Sequence, residues 1–155
     1  MSLTYRVIGL SDLAQVPDLL ERGFGEAASA AKQHSLSVNW QEYQRLAQAG
    51  VLYICGCFAG SELVGFVGMV KLLDLWGLNG YVASVVTIYL HPSYRKGFNG
   101  YRLIRYAEKL ALATGCIEIR LPVSSRSKNH RGKPRTNLFA NLGYRLREVV
   151  FAKRL

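Results

Sequence analysis

The chain has 155 residues, half of them hydrophobic, which is enough for one globular domain with a buried core. This composition excludes a disordered or fibrous protein. Lysine and arginine number 20 against 10 acidic residues, so the formal charge is +10 at neutral pH. Such a field attracts polyanions, namely nucleic acid, an anionic membrane surface or a phosphate-rich cofactor, and does not choose among them.

The N-terminal segment and the cysteines indicate a cellular location. Segment 1–10 lacks the basic start and continuous apolar core of a secretory signal, and no apolar run approaches the ~20 residues that cross a bilayer. Cys55, Cys57 and Cys116 lack CxxC spacing, and the first two lie on one face of a predicted strand as small core residues. No metal site is predicted, because no histidine or further cysteine clusters with them. We therefore expect a protein of the reducing cytoplasm, without membrane contact.

In chain order, the first pattern is an N-terminal strand, followed by a helix that Ser11 or Asp12 can cap. The small-residue segment 23–37 is predicted as a helix end that runs into a loop. Asn39 and Glu42 have the spacing of a capping box, which predicts the start of a second helix.

Three strand patterns follow, at 51–60, 62–75 and 80–92. The first two are joined by a hairpin at Gly60–Ser61, and the third is nearly continuous in apolar residues, as in a central strand covered on both faces. A long helix with an apolar stripe ends at Gly115. A strand, a polar loop, a short helix and a closing strand complete the chain, at 116–123, 124–135, 136–143 and 144–155. The order β-α-α-β-β-β-α-β-α-β predicts a single mixed α/β domain over 1–155, with helices packed on a sheet.

The stretch HPSYRKGFNG, residues 91–100, joins the third of these strands to the long helix. The first turn of a helix leaves amide N–H groups without partners, and the helix dipole adds partial positive charge there. Glycines let the backbone approach an oxyanion closely, and Arg95 and Lys96 add charge. This turn is predicted to bind a pyrophosphate, although a plain turn has the same composition. The P-loop and dinucleotide fingerprints GxxxxGK[ST] and GxGxxG are both absent.

Residues 88–111 resemble the central motif of the GCN5-related N-acetyltransferase (GNAT) family. That motif is a strand ending in a V-x-P-like step, then Arg/Gln-x-x-Gly-x-Gly/Ala at the start of a long helix, and Leu90, Pro92, Arg95 and Gly100 match it. The segment LFANLGYRLREVVFAKRL resembles the closing helix and strand of the family and is closest to its phage-type or prophage-type members. The resemblance implies a mostly antiparallel central sheet with helices on both faces. It also implies transfer of an acetyl group from acetyl-CoA to a primary amine by direct attack.

The same resemblance implies where the cofactor binds. The implied cofactor-binding residues are Ile88, Tyr89, Leu90, Arg95, Lys96, Gly97, Phe98, Asn99, Gly100 and Tyr101. With Arg95 at the first motif position, Phe98 stands where the family has its middle glycine. A shifted register puts Gly97 there, but Tyr94 then replaces the arginine. The first register is preferred because it keeps the spacing from Pro92 to the helix.

Two departures from the family concern catalysis. Phe139 stands where many relatives have a tyrosine that protonates the departing thiolate, and the strand before the motif offers Ser84 and Thr87 instead of a glutamate base. An amine can still attack the thioester directly, with an amide near Leu90 polarising the carbonyl. The catalytic residue is left unassigned; the candidates are Ser124, His91 and Glu26.

Each candidate also has a structural interpretation. His91 is a candidate acid or base, but in the family the residue at this step usually faces away from the chemistry. Glu26 and His34 fall in the loop that, by resemblance, lines the acceptor site, but a solvated loop charge is the favoured interpretation of both. Ser124 and Ser125 follow a strand near the implied thiol position. Core packing is predicted for Trp40, Trp76 and Tyr144, and solvent exposure for Glu118 and Arg120.

The functional alternatives differ in their partners. The polar loop 124–135 holds five cations; it is predicted as a solvated loop, or as a contact to a cofactor 3′-phosphate or an acidic substrate. An N-acetyltransferase needs a small-molecule or peptide amine, and the +10 field favours anionic or amphipathic acceptors over polyamines. A non-catalytic CoA-binding or regulatory module and an RNA-directed protein, the latter on charge alone, stay open. The family resemblance also predicts a homodimer through the closing strand.

Overall fold

The computed structural model describes residues 2–9, 11–31, 39–75, 79–122 and 136–145. Within these, the strands are β1 (Leu3–Val7), β2 (Leu52–Ala59), β3 (Glu62–Leu73), β4 (Tyr81–Leu90) and β5 (Cys116–Arg120). The α-helices are α1 (Val16–Ala31), α2 (Trp40–Gln48), α3 (Asn99–Ala113) and α4 (Thr136–Asn141), and 3-10 turns lie at Leu13–Gln15 and Pro92–Tyr94. Residues 1–122 and 123–155 form two compact units, and α4 belongs to the second. The single domain over 1–155 stays a prediction, and the predicted closing strand lies almost entirely outside the described residues.

The sheet has the order β1-β2-β3-β4-β5. Neighbouring strands are antiparallel from β1 to β4, and β5 runs parallel to β4. The hairpin at Gly60–Ser61 is confirmed, since Ala59 pairs with Glu62 across it. The parallel pair requires a crossover, which α3 provides. The predicted fold class, a mixed α/β domain with a mostly antiparallel sheet, is therefore confirmed.

Helices cover both faces of this sheet. The core under α3 includes the buried residues Cys55, Cys57, Val67, Met69, Leu103 and Ala107. The core under α1 and α2 includes Val16, Leu20, Phe58, Phe66 and Tyr89. Cys55 and Cys57 lie on one face as predicted, and burial raises the pKa of the Cys55 thiol to about 12. The predicted core packing of Trp40 is confirmed as well, because its half-buried ring packs against the second core.

Helix α1 is longer and starts differently than predicted. Within segment 23–37, predicted as a helix end that runs into a loop, the helix continues through Ala31 and includes Glu26. Alanine has the highest helix propensity, which offsets a cost of about 1 kcal/mol for each glycine. Asp12 does not cap α1, but precedes the 3-10 turn and has no side-chain capping bond. Its carboxylate instead accepts hydrogen bonds from Arg6 and from the Gly9 N–H. The contact with the Arg6 guanidinium outweighs burial and lowers the pKa of Asp12.

Helix α2 begins as predicted. Asn39 Oδ1 accepts the Glu42 N–H at 3.1 Å, which satisfies one free amide of the first turn. In a full capping box the Glu42 side chain would also accept the Asn39 N–H. Here the Glu42 carboxylate pairs with Arg45 at 2.6 Å instead. No helix of the described residues is long and apolar enough to span a membrane.

Candidate functional site

Strand β4 leaves its neighbour β5 halfway along its length. The two strands pair only over Tyr81–Ser84. The register with β3 then shifts, because Met69 pairs with Val85 but the preceding Gly68 pairs with Thr87, which is a β-bulge. Beyond it, β4 pairs only with β3 among the described residues.

The exposed side chains of β4 follow from this divergence. Val86 and Ile88 are 48% and 42% exposed. The prediction that β4 is covered on both faces is therefore wrong for its second half. Apolar residues there mark the opened edge of the sheet, and a strand edge with unpaired backbone groups is a template for an extended ligand.

The backbone groups at this edge have a definite direction. The His91 N–H donates to Val64 O of β3 at 2.8 Å. Because backbone groups alternate along a strand, the N–H and C=O of Leu90 and Ile88 point away from β3, toward the opened side. The Leu90 carbonyl accepts a hydrogen bond there from Arg95 Nε at 2.7 Å. The Leu90 N–H is left directed at the opened edge.

The turn between β4 and α3 is open above its glycines. Gly97 has φ +66°, a conformation that glycine adopts without strain. A Cβ placed on Gly97 or Gly100 would meet no atom within 4 Å. Above these two glycines, no side chain from the described part of the chain fills the turn.

The start of α3 offers amide groups to this open space. The helix has Phe98 at its N-cap, without a side-chain capping bond, and its first turn contains no acidic residue. The first helical bond runs from Arg102 N–H to Phe98 O at 2.9 Å. The N–H groups of Asn99, Gly100 and Tyr101 therefore have no acceptor within the helix. An anion at this position gains from these donors and from the helix dipole.

Two side chains fix the turn from opposite ends. Asn99 Nδ2 donates to Tyr94 O at 3.1 Å, which closes the loop across its base. Tyr5 of β1 donates its hydroxyl to Asn99 O at 3.4 Å. The sequence pattern gave no indication of Tyr5, because the strand alternation does not reveal a contact 94 residues away.

A cleft of about 210 Å³ lies between α1 and the opened half of β4. Its lining residues are mostly apolar: Leu19, Leu20, Gly23, Val86, Thr87, Ile88 and Tyr89. The Thr87 hydroxyl is hydrogen-bonded to the Tyr43 hydroxyl of α2 at 2.5 Å. Helix α1 lies very close to β4 here, since a Cβ on Gly23 would be 2.8 Å from Tyr89 Cδ2.

Glu26 lies on α1 beside this cleft and not in a loop, so the loop placement predicted for it is wrong. One carboxylate oxygen accepts the Tyr89 hydroxyl at 2.9 Å, and the other accepts the Arg95 guanidinium at 2.5 Å. Burial raises the pKa of Glu26, but the hydrogen bonds from Arg95 and Tyr89 outweigh it and the pKa is lowered. Burial and the bond to Glu26 raise the pKa of Tyr89. At neutral pH the site therefore holds a carboxylate and a neutral phenol.

The structure brings the ten predicted cofactor-binding residues together at the end of β4 and in the following turn. His91 caps the 3-10 turn, its Nδ1 accepting the Ser93 N–H at 3.3 Å. Arg120, predicted as solvent-exposed, is 34% exposed, and it bonds Glu118 at 2.7 Å and the buried Asp74 at 3.2 Å. In the second unit, the rings of Phe139 and Tyr144 pack edge to face, with centroids 6.0 Å apart. The remaining predicted residues lie outside the described ones: His34, Trp76, Ser124 and Ser125.

The fold and this site define an α/β domain with an open strand edge beside a helix start whose first-turn amides have no acceptor within the helix. The chain belongs to the Acetyltransferase (GNAT) family, whose profile matches residues 13–144. The family predicted from the sequence is therefore confirmed, whereas membership of the phage-type subfamily stays a prediction. No curated protein has a sequence that matches the chain significantly.

Solved structures with the same fold are distant in sequence. A transcriptional regulator from Bacillus halodurans C-125 is 16% identical with a TM-score of 0.78, over 99% of this chain and 100% of that one. An aminoglycoside acetyltransferase from an uncultured soil metagenomic sample is 18% identical with a TM-score of 0.77, over 100% and 99%. AAC(6')-Iy, in complex with a bisubstrate analogue of CoA and acetylneamine, is 18% identical with a TM-score of 0.76, over 100% of both chains. At this identity the likeness shows the fold alone.

Proposed function

We propose that the protein is an acetyl-CoA-dependent N-acetyltransferase that acetylates a primary amine by direct attack on the thioester. The observation that carries the proposal is the opened edge of β4 at Ile88–Leu90, immediately followed by the amide-rich turn at Lys96–Tyr101. Coenzyme A has the matching parts in the matching order, namely an extended arm with amide groups and a diphosphate. A generic phosphate site accounts for the turn but not for the strand edge.

The residues present fit this cofactor. The amides from Lys96 to Tyr101 would hold the diphosphate, because the turn is open and its helix start carries no acidic side chain. The backbone of Ile88 would pair with the amides of the pantetheine arm, as a neighbouring strand would. Acetyl-CoA supplies the activated acetyl group.

The Leu90 N–H would act at the reacting carbonyl. During attack, the amine nitrogen bonds to the acetyl carbon, the carbon–sulfur bond breaks, and the thiolate leaves. Negative charge develops on the carbonyl oxygen, and a fixed amide donor stabilises it more than it stabilises the ground state. The amine loses a proton and the thiolate gains one, and we assign neither step to a side chain.

The cleft supports an acceptor with a small apolar body. Its lining is mostly aliphatic, and its hydroxyl groups at Thr87 and Tyr89 already have partners. The nearby Glu26 carboxylate is bound by Arg95, so its charge is compensated. These features favour an amphipathic monoamine over a polycation, in agreement with the net charge of +10.

One alternative has a specific observation in its favour. A CoA-binding module without turnover is favoured by Phe139, which has no proton to donate, and by the engagement of Glu26 with two donors. The RNA-directed alternative gains nothing from the described residues beyond charge. The homodimer and the cytoplasmic location stay predictions.

Turnover and binding measured together test the proposal. Release of free thiol from acetyl-CoA is followed with a panel of aralkyl monoamines, an aminoglycoside and a peptide with a free N-terminus, and CoA binding is measured by calorimetry. We expect CoA binding and acetylation of monoamines. Binding without turnover on any amine would favour the non-catalytic module, and absence of CoA binding would refute both functions.

A further inference from the structure

We propose that Arg95 is a positioning residue, which Glu26 of α1 holds in place and which fixes the Leu90 peptide for acyl transfer. The inference rests on the proposed N-acetyltransferase function. It assigns the Arg95 side chain a role different from holding the cofactor diphosphate, which the motif position alone would predict.

The contacts of Arg95 are directed at the strand end and not at the turn. Its Nε donates to Leu90 O at 2.7 Å, and its terminal nitrogen donates to Glu26 Oε2 at 2.5 Å. The guanidinium carbon lies 5.5 Å from the centre of the Tyr89 ring. Because the guanidinium is a rigid planar fork, two bonds from different nitrogens determine its orientation.

Glu26 is in turn held by a buried group. Its second oxygen accepts the hydroxyl of Tyr89, which is only 6% exposed. The chain of contacts therefore runs from the core through Tyr89 and Glu26 to Arg95 and ends at the Leu90 carbonyl. It joins helix α1 to the end of β4, across 69 residues of sequence.

Stability alone does not explain the ion pair. The side chains of Arg95 and Glu26 are 38% and 42% exposed, and pairs this exposed contribute about 0 to 1 kcal/mol. What the pair changes is the surface of the opened edge. The Leu90 carbonyl is occupied, so Leu90 presents only its N–H to a ligand there.

This asymmetry has a chemical consequence at the reacting carbonyl. An unoccupied backbone oxygen beside an oxygen that gains negative charge would repel it. Donation from Arg95 reduces the negative partial charge that this oxygen presents to its surroundings, and this stabilises the developing oxyanion more than the bound thioester. The effect should therefore appear in kcat and not in cofactor binding.

Three variants and one control test this role. They are Arg95→Gln, Arg95→Lys, Glu26→Gln and the control Glu42→Gln, which breaks the exposed Arg45–Glu42 pair of α2 at 2.6 Å. We measure the CoA dissociation constant by calorimetry, kcat and KM for acetyl-CoA with the best amine of the panel, and thermal stability.

We expect Arg95→Gln to lower kcat by roughly tenfold to a hundredfold, less than deleting an oxyanion donor outright, while CoA affinity stays within about threefold. Arg95→Lys should recover part of kcat, Glu26→Gln should show a smaller loss of the same kind, and Glu42→Gln should change nothing. A tenfold loss of CoA affinity in Arg95→Gln with kcat retained would overturn the inference in favour of a direct phosphate contact. Reduced thermal stability with normal kcat would overturn it in favour of a structural role.

A second measurement separates this inference from the proposed function. Absence of CoA binding to the wild type refutes the proposed function itself. If CoA binds but no amine is acetylated, the slow hydrolysis of acetyl-CoA by water is compared in the same variants, because it develops negative charge on the same carbonyl oxygen. A lower hydrolysis rate in Arg95→Gln at unchanged CoA affinity would support the positioning role, and an unchanged rate would refute it.

Discussion

Substitution of Gly100 by aspartate should strengthen the fold and weaken cofactor binding at the same time. Gly100 is the second residue of α3, and a Cβ there meets no atom within 4 Å, so a side chain costs no packing. Removing a helical glycine and placing a carboxylate in the first turn together should raise the free energy of unfolding by about 0.5 to 1.5 kcal/mol.

The same carboxylate would stand beside the diphosphate of CoA. Two like charges roughly 6 Å apart repel by about 3 kcal/mol at an effective dielectric constant of 20, and by about 0.7 kcal/mol in bulk water. Because the site is open to solvent and the diphosphate carries at least two charges, we expect a net loss of about 2 to 3 kcal/mol. This corresponds to a CoA affinity roughly thirtyfold to 150-fold weaker.

Calorimetry with CoA and urea unfolding are carried out on Gly100→Asp and on the matched neutral variant Gly100→Asn. The asparagine variant has the same size without the charge, so it should keep most of the affinity. Equal losses in both variants would show a steric effect and refute the electrostatic reasoning. Wild-type affinity in Gly100→Asp would refute the location of the diphosphate.

Further predictions concern the packing around the site. Gly23→Ala should lower the free energy of unfolding by about 1 to 3 kcal/mol, because the added methyl group would contact β4. Gly25→Ala, with nothing within 4 Å, should raise the free energy of unfolding by about 0.5 to 1 kcal/mol. Urea titration that ranks the two variants in the reverse order would contradict the close approach of α1 to β4. Leu103→Ala, at a position 1% exposed, should lower the free energy of unfolding by about 2 to 5 kcal/mol. Leu112→Ala, at a position of the same helix that is 73% exposed, should lower it by less than about 0.5 kcal/mol. Equal losses would contradict the face of α3 that packs on the sheet. Burial raises the pKa of Cys55 from 9.0 to about 12, so between these pH values the thiol ionises in the unfolded chain and stays neutral in the folded one. The free energy of unfolding should therefore fall as the pH rises, by about 1.4 kcal/mol at pH 10. Unfolding at pH 8 and 10 should show this loss in the wild type and a smaller one in Cys55→Ala, and identical losses would contradict the burial.

Local patterns predicted the elements whose signals are local. The hairpin at Gly60–Ser61 and the capping residue Asn39 were found because turn and capping chemistry depend on a few adjacent residues. The extent of α1 was not found, because the small residues up to Ala31 fit a loop as well as a helix. Packing against β4 favours the helix, and that contact is not visible in the sequence of α1.

The candidate site was predictable in its backbone and not in its side chains. The turn at 91–100 was identified from glycines and cations before a helix, and in the structure Gly97 and Gly100 have open space while Phe98 gives the helix no side-chain cap. The contact of Glu26 with Arg95 crosses 69 residues, which no local spacing encodes. The opened edge after Ser84 is next to a bulge in β4, and an apolar, β-branched run does not reveal where pairing stops.

The most direct test of the central claim is a titration of ¹⁵N-labelled protein with coenzyme A, followed by amide NMR. If the start of α3 holds the diphosphate and β4 pairs with the pantetheine arm, the largest shifts should fall on the amides of Gly97–Tyr101, with a second group at Ile88–Leu90. Shifts confined to other parts of the chain, or none at millimolar CoA, would contradict the account.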